Sequence, residues 1–160
     1  MNIKMTVSCI VLLLLLSSCN KGNSDATSQN NAFQISTESV VVENINPHRT
    51  EFTENNISYK GIQYDVISIL KNIPKKYYNQ IGVGLQFSGR TKGIFGKSDS
   101  GYVNGFSLLE SSQNDQKILT SILIVSNSIS DEEINYLISE EAKKDLSVNI
   151  YDNNALVKEK

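Results

Sequence analysis

Lys117-Ile118-Leu119-Thr120-Ser121-Ile122-Leu123-Ile124-Val125-Ser126 is the stretch whose reading decides the fold, together with Ser130-Asp131-Glu132-Glu133-Ile134 just after it. The first piece is the most apolar run downstream of residue 18 and is rich in β-branched residues, which predicts a central strand. Thr120 and Ser121 interrupt it, and it is far shorter than the roughly 20 residues of a membrane-spanning helix. Beyond it the apolar period changes. Ile134, Leu137, Ile138 and Ala142 recur at helical spacing and form one stripe. Ser130 with Glu133 makes a capping box, with acids at the start and Lys143 and Lys144 at the end. The pattern predicts one amphipathic helix over about 131–144, with Glu140 pairing Lys144 on its polar face. A buried strand followed by a one-sided helix implies an α+β fold: a mostly antiparallel sheet with the helix packed on one face.

Downstream, Ser147 to Tyr151, a turn at Asp152-Asn153-Asn154 and Ala155 to Val157 predict a C-terminal hairpin. Upstream, Phe33 to Glu38 alternates in period two and runs into Val40-Val41-Val42, predicting strand as far as Ile45. Asn46-Pro47-His48 reads as a turn, and Lys60-Gly61 as the tip of a tight hairpin whose second arm continues to Leu70. Pro74 opens a short helical turn or loop to Gln80. Ile81 to Phe87 is a strand with glycines on one face, which suggests close backbone approach. A flexible loop over 88–101, a strand Tyr102 to Leu109 and a polar turn Glu110 to Gln116 complete the reading. No internal repeat is present.

The first residues set the address. Lys4 precedes the apolar run Ile10 to Leu16, and small residues follow, as in a secretory signal. Leu16-Ser17-Ser18-Cys19 resembles the lipobox of bacterial lipoproteins. That resemblance implies lipid on the Cys19 sulfur and cleavage before it, so residues 1–18 are expected to be a signal peptide, with the membrane as a partner through Cys19. Asn20 rather than Asp follows, which by the family's rule favours the outer membrane, facing the periplasm or the cell surface. The resemblance covers only the first 19 residues. Between Asn20 and Asn31 only Ala26 is apolar, so 19–31 is expected to be a lipidated cysteine and flexible tether. Residues 32–160 are then a single globular domain.

Composition narrows the chemistry. Fifteen Lys and Arg stand against 17 Asp and Glu, which argues against nucleic acid as a partner. With Cys9 removed and Cys19 lipidated, neither of the chain's two cysteines is left for a disulfide, a thiolate nucleophile or a zinc site. His48 is the only histidine, so any His-based triad must run through it. No ligand spacing for a metal and no motif for a cofactor is present. Gly96-Lys97-Ser98 has the end of a phosphate-binding loop, but Thr91 stands where the motif needs glycine, and Asp99-Ser100-Gly101 starts no helix. Gly82-x-Gly84 lacks the third glycine of a dinucleotide site.

Two stretches remain as candidate partner-binding surfaces. The 88–101 loop sets Arg90, Lys92 and Lys97 around Ile94 and Phe95, which suits a protein partner or anionic headgroups unless Phe95 folds back onto the sheet. Tyr77 and Tyr78 beside Lys75 and Lys76 suit an interface or a stacked sugar, unless the rings pack inward. The sequence therefore favours a non-enzymatic envelope lipoprotein that binds a protein, as an inhibitor or immunity protein or as an accessory subunit of an envelope assembly. A glycan- or ligand-binding surface lipoprotein and an envelope enzyme with an unaligned site are the rivals.

Overall fold

The computed structural model describes residues 33–126 and 128–157. The expected signal peptide, Cys19 and the 19–31 tether lie outside the described residues. The architecture is set by one long antiparallel hairpin. β1 (Val40–Glu54) and β2 (Ile57–Lys71) are each 15 residues long, and pair from Val40↔Leu70 to Glu54↔Ile57 with one bulge between Val42 and Asn44. Asn55 and Asn56 form the turn with φ of 50° and 63°, the doubly left-handed geometry of a two-residue hairpin loop.

That hairpin overturns two readings. Asn46-Pro47-His48 is not a turn, because β1 is an edge strand and an edge tolerates the missing proline N–H. Nor is Lys60-Gly61 a tip. Gly61 lies within β2, where a Cβ would strike the carbonyl oxygen of Ile124 on the neighbouring strand. Phe33 to Glu38 is not a strand either. Ile35 is buried and gives its N–H to Asp152 Oδ2 at 3.1 Å, so this segment reaches toward the other sheet before a 3₁₀ turn at Thr37–Ser39 leads into β1.

After a 3₁₀ turn at Lys75–Gln80 come β3 (Ile81–Phe87), α1 (Gly89–Phe95), β4 (Asp99–Asn104), β5 (Ser107–Ser111) and β6 (Asp115–Ser126). Then follow α2 (Asp131–Leu137), α3 (Glu140–Lys143), β7 (Leu146–Asp152) and β8 (Ala155–Leu156). Two four-stranded sheets result, β1-β2-β6-β5 and β4-β3-β7-β8, and every pairing is antiparallel. The expected central strand is β6, inside its sheet and paired with β2 from Lys60↔Ser126 to Lys71↔Asp115. The expected Tyr102 to Leu109 strand is two strands in different sheets. The chain crosses over at Gly105, whose φ of 131° is open only to glycine.

Period two puts Ile62, Tyr64, Val66 and Leu70 of β2 on the same inner face as Ile118, Ile122 and Ile124 of β6. They share one core with Val83, Leu85 and Phe87 of β3, Ile150 of β7, and Ile134 and Leu137 of α2. The glycines of β3 do mark close approach. A Cβ on Gly84 would strike the Gly101 carbonyl oxygen, and the rings of Tyr102 and Tyr151, tilted against each other with centroids 4.7 Å apart, cover that face.

The fold is a β-rich α+β arrangement closed by the expected C-terminal hairpin. The single helix over 131–144 is instead two short ones. The capping box at Ser130 and Glu133 starts α2, but Ser139 ends it and caps the next helix by accepting from the Ala142 N–H at 3.3 Å. A serine at mid-helix offers the backbone a competing partner, and here it wins. The restart sets Glu140 beside Lys143 at 2.7 Å rather than beside Lys144, and leaves Ile138 exposed.

Candidate functional site

The 88–101 segment is the first candidate, and it is not a free loop. α1 is docked by a residue remote in sequence. Asp145 Oδ2 accepts the Thr91 N–H at 3.0 Å and the Tyr136 hydroxyl at 2.9 Å, while the Asp145 carbonyl accepts from the Ser88 N–H and hydroxyl. Gly89 (φ 47°) sits so close to this carboxylate that a Cβ there would strike it. The donated Thr91 N–H, followed by the tyrosine hydroxyl, holds the Asp145 carboxyl below the usual range.

The docking divides the predicted residues. Thr91 is fully buried. Phe95 lies tilted against Phe87 at 4.9 Å and meets Tyr64 edge-on at 6.5 Å; Ile94 also packs on the core. Ile94 and Phe95 are thus partly buried, and the exposed side chains of the segment form a cationic rim. The Arg90 guanidinium lies 4.2 Å over the Tyr136 ring and 3.8 Å from the Glu132 carboxylate. Lys92 and Lys97 are exposed.

Tyr77 and Tyr78 lie apart from α1, at the other end of β3. Tyr77 stacks on Phe33 at 4.8 Å with Lys76 Nζ 4.8 Å above its ring. Tyr78 meets Phe106 edge-on at 5.5 Å, and burial pushes its hydroxyl pKa up. Both rings are half-buried against the core, so the stacking area left to a sugar is reduced.

Residues not singled out from the sequence form an exposed apolar surface. β6 stops pairing at Ser126 opposite Lys60, while β1 and β2 continue to Glu54 and Ile57. Along this overhang Phe52 and Tyr59 are cross-strand partners with rings 5.1 Å apart. Register sets them on the outer face of the sheet, with Ile57, Val125 and Leu123. Ile57 is 50 % exposed, Leu123 52 % and Val125 40 %. Period two along 57–71 carries this signal once the turn is placed at Asn55-Asn56.

The same outer face holds a polar cluster. Asp65 Oδ1 accepts from Gln63 Nε2 at 2.9 Å and the Ser121 hydroxyl at 2.6 Å, and His48 Nδ1 lies 3.8 Å from Asp65 Oδ2. Serine, histidine and aspartate thus meet in the wrong order for a hydrolytic triad. The carboxylate sits between the other two and accepts the serine hydrogen bond that the imidazole would have to accept. Among the described residues no three His, Cys, Asp or Glu side chains gather as metal ligands, and no helix is long and apolar enough to cross a membrane.

No known family model, curated protein or solved structure matches this chain. Its geometry is the ground for a functional reading. Besides the surfaces above, an open groove of about 840 Å³ separates Gln34–Glu38 from Asp152–Val157. One of its two carboxylates, Asp152, is already engaged by the Ile35 N–H. The overhanging hairpin with its apolar outer face stands out from all of these.

Proposed function

We propose that this chain is a bacterial envelope lipoprotein, anchored through lipid on Cys19, whose non-enzymatic domain binds a protein partner through the tip of the β1–β2 hairpin and the adjoining face of β6. The observation that carries the reading is the exposed Phe52, Ile57, Val125 and Leu123 with the half-buried Tyr59 ring among them, which needs a cover that the described chain does not supply. Glu54 and Asp65 flank it on the same face. Acids beside apolar side chains disfavour an anionic bilayer or nucleic acid and favour a protein surface with apolar residues and a cation. An inhibitor or immunity protein and an accessory subunit of an envelope assembly both fit this surface. The cationic rim of Arg90, Lys92 and Lys97 is a secondary contact in this reading.

Cross-linking from a photoreactive residue at position 57 in intact cells, followed by purification of the adduct, tests the binding. A discrete adduct lost on Phe52→Glu substitution is expected. Uniform labelling unaffected by Phe52→Glu sinks the proposal. The anchor is tested separately: Cys19→Ser should release a folded protein from the membrane fraction.

A further inference from the structure

The end of the molecule opposite the hairpin tip has a different chemistry. Lys71 closes β2, and Lys75 and Lys76 open the 3₁₀ turn four residues later. All three are exposed. None takes part in an ion pair among the described residues, whereas Arg49, Lys60, Arg90, Lys117 and Lys143 all do. Between Asp65 and Asp99 the sequence contains no acidic residue at all. The acids at this end come from other segments: Asp115 stands opposite Lys71 in the ladder, Glu38 lies in the 3₁₀ turn before β1, and Asp152 stands opposite Ile81, where it accepts the Ile35 N–H. None of these carboxylates forms an ion pair with a lysine among the described residues. The cations lie among aromatic rings, since Tyr77 stacks on Phe33 and has the Lys76 ammonium 4.8 Å from its ring centre.

Phe33 fixes where the chain enters. It is the first described residue, and its stack on Tyr77 fastens the beginning of the fold to this lysine-bearing turn. Residues 20–32 link Phe33 to Cys19. Thirteen residues reach at most about 45 Å even when fully extended, so lipid on Cys19 would hold this end of the domain within that distance of the headgroups. We infer that Lys71, Lys75, Lys76 and Tyr77 form a docking surface for an anionic phospholipid bilayer, which orients the domain with its root on the membrane and its hairpin tip pointing away. Lysine ammonium groups near an anionic leaflet each add to binding. A tyrosine with an apolar body and a polar tip suits the headgroup layer. The inference rests on the anchored reading for its biological setting, but its physical content does not require the lipid.

The test therefore omits the lipid. A chain from Asn20 to Lys160 lacks Cys19 yet contains every core residue, all of which fall between Ile35 and Ile150. Its partition onto phosphatidylcholine vesicles with and without phosphatidylglycerol is measured by co-sedimentation. Binding that needs phosphatidylglycerol and weakens with salt is expected. The double substitution Lys75→Gln and Lys76→Gln should lower it about thirtyfold, and Glu38→Gln should raise it. Lys92→Gln with Lys97→Gln removes the same charge from the α1 end and should leave it close to unchanged. The sequence has no tryptophan, so Tyr77→Trp gives a single indole that brominated lipid should quench. Absent binding, binding indifferent to phosphatidylglycerol, equal loss in the two double variants, or an unquenched indole would each overturn the inference. A Cys19→Ser protein that stays membrane-bound in cells overturns the anchor and leaves these vesicle results standing.

Discussion

The two ends of the β1–β2 hairpin are built from the same strands and differ in everything they expose. The root carries three unpaired lysines beside a stacked aromatic pair. The tip, about 45 Å away along a 15-residue strand, carries Phe52, Tyr59 and Ile57 with acidic Glu51 and Glu54. The cations near the tip, Arg49 and Lys60, are neutralised by Glu51 and Asp131. The Lys60 ammonium, with Arg49 behind it, holds the Asp131 carboxyl low. One end is suited to an anionic plane and the other to a protein. Such polarity is what a tethered module needs if it is to present a binding surface away from its anchor.

The sharpest way to break that comparison is to remove what joins the ends. Ile122 and Leu123 are adjacent in β6, the first 2 % exposed in the core and the second 52 % exposed. Ile122→Ala deletes packed methyl groups and is expected to cost about 2–5 kcal/mol, lowering the midpoint of denaturant unfolding with the slope preserved. Leu123→Ala should change stability by no more than about 0.5 kcal/mol while weakening partner capture. A Leu123→Ala loss as large as that of Ile122→Ala would mean that the outer face is covered within the protein itself.

Next in size is the tip. Phe52→Glu with Ile57→Glu should reduce affinity for the cross-linked partner about thirtyfold or more, as truncating interface anchors does, with little change in unfolding midpoint. If the two charges lower the midpoint and leave capture intact, the tip is structural and the polarity argument fails.

A smaller effect separates α1 from both ends. Asp145 is held below its ordinary pKa by the Thr91 N–H, and Glu133 by the Ser130 N–H. A folded carboxylate with a depressed pKa adds stability above its unfolded value, about 4, and loses it as pH falls through the folded value. Thermal midpoints of wild type and Asp145→Asn should therefore differ at neutral pH and converge in acid. A gap that persists in acid would mean that the substitution disturbs packing rather than the docking charge. α1 has no such tie to the root lysines, so vesicle binding should be indifferent to this change.

How far these features were legible from sequence depends on the range of the forces involved. Local signals read well. The Ser130–Glu133 capping box, the strands β3 and β6 and the Asn153-Asn154 turn each need only neighbours along the chain, and each forms. Long-range signals did not read. Nothing near Arg90 announces that Asp145 and Tyr136 will dock α1 and turn Ile94 and Phe95 inward. Pro47 stops a central strand but not an edge strand, and edge status belongs to the sheet rather than to the residue. The tip was missed because Gly61 looked like the better turn residue. Its small size serves the approach of the Ile124 carbonyl instead, and the turn fell to Asn55-Asn56.

That turn supplies the smallest and most local prediction. Both asparagines hold positive φ, at 50° and 63°, where a Cβ is disfavoured by about 1–2 kcal/mol and asparagine recovers part of this through its short polar side chain. Asn-Gly suits such a loop better than Asn-Asn. Asn56→Gly should thus relieve native strain and lose part of that gain to the freer unfolded chain. The expected net is a stabilisation of a few tenths to about 1 kcal/mol, read as a small rise in the unfolding midpoint. Gly61→Asn is the mirror experiment, since it forces a side chain against the Ile124 carbonyl and should destabilise the sheet. If Asn56→Gly destabilised and Gly61→Asn were neutral, the hairpin would turn at Lys60-Gly61 after all. Phe52 and Tyr59 would then lose their register, and the apolar tip would cease to exist as a surface.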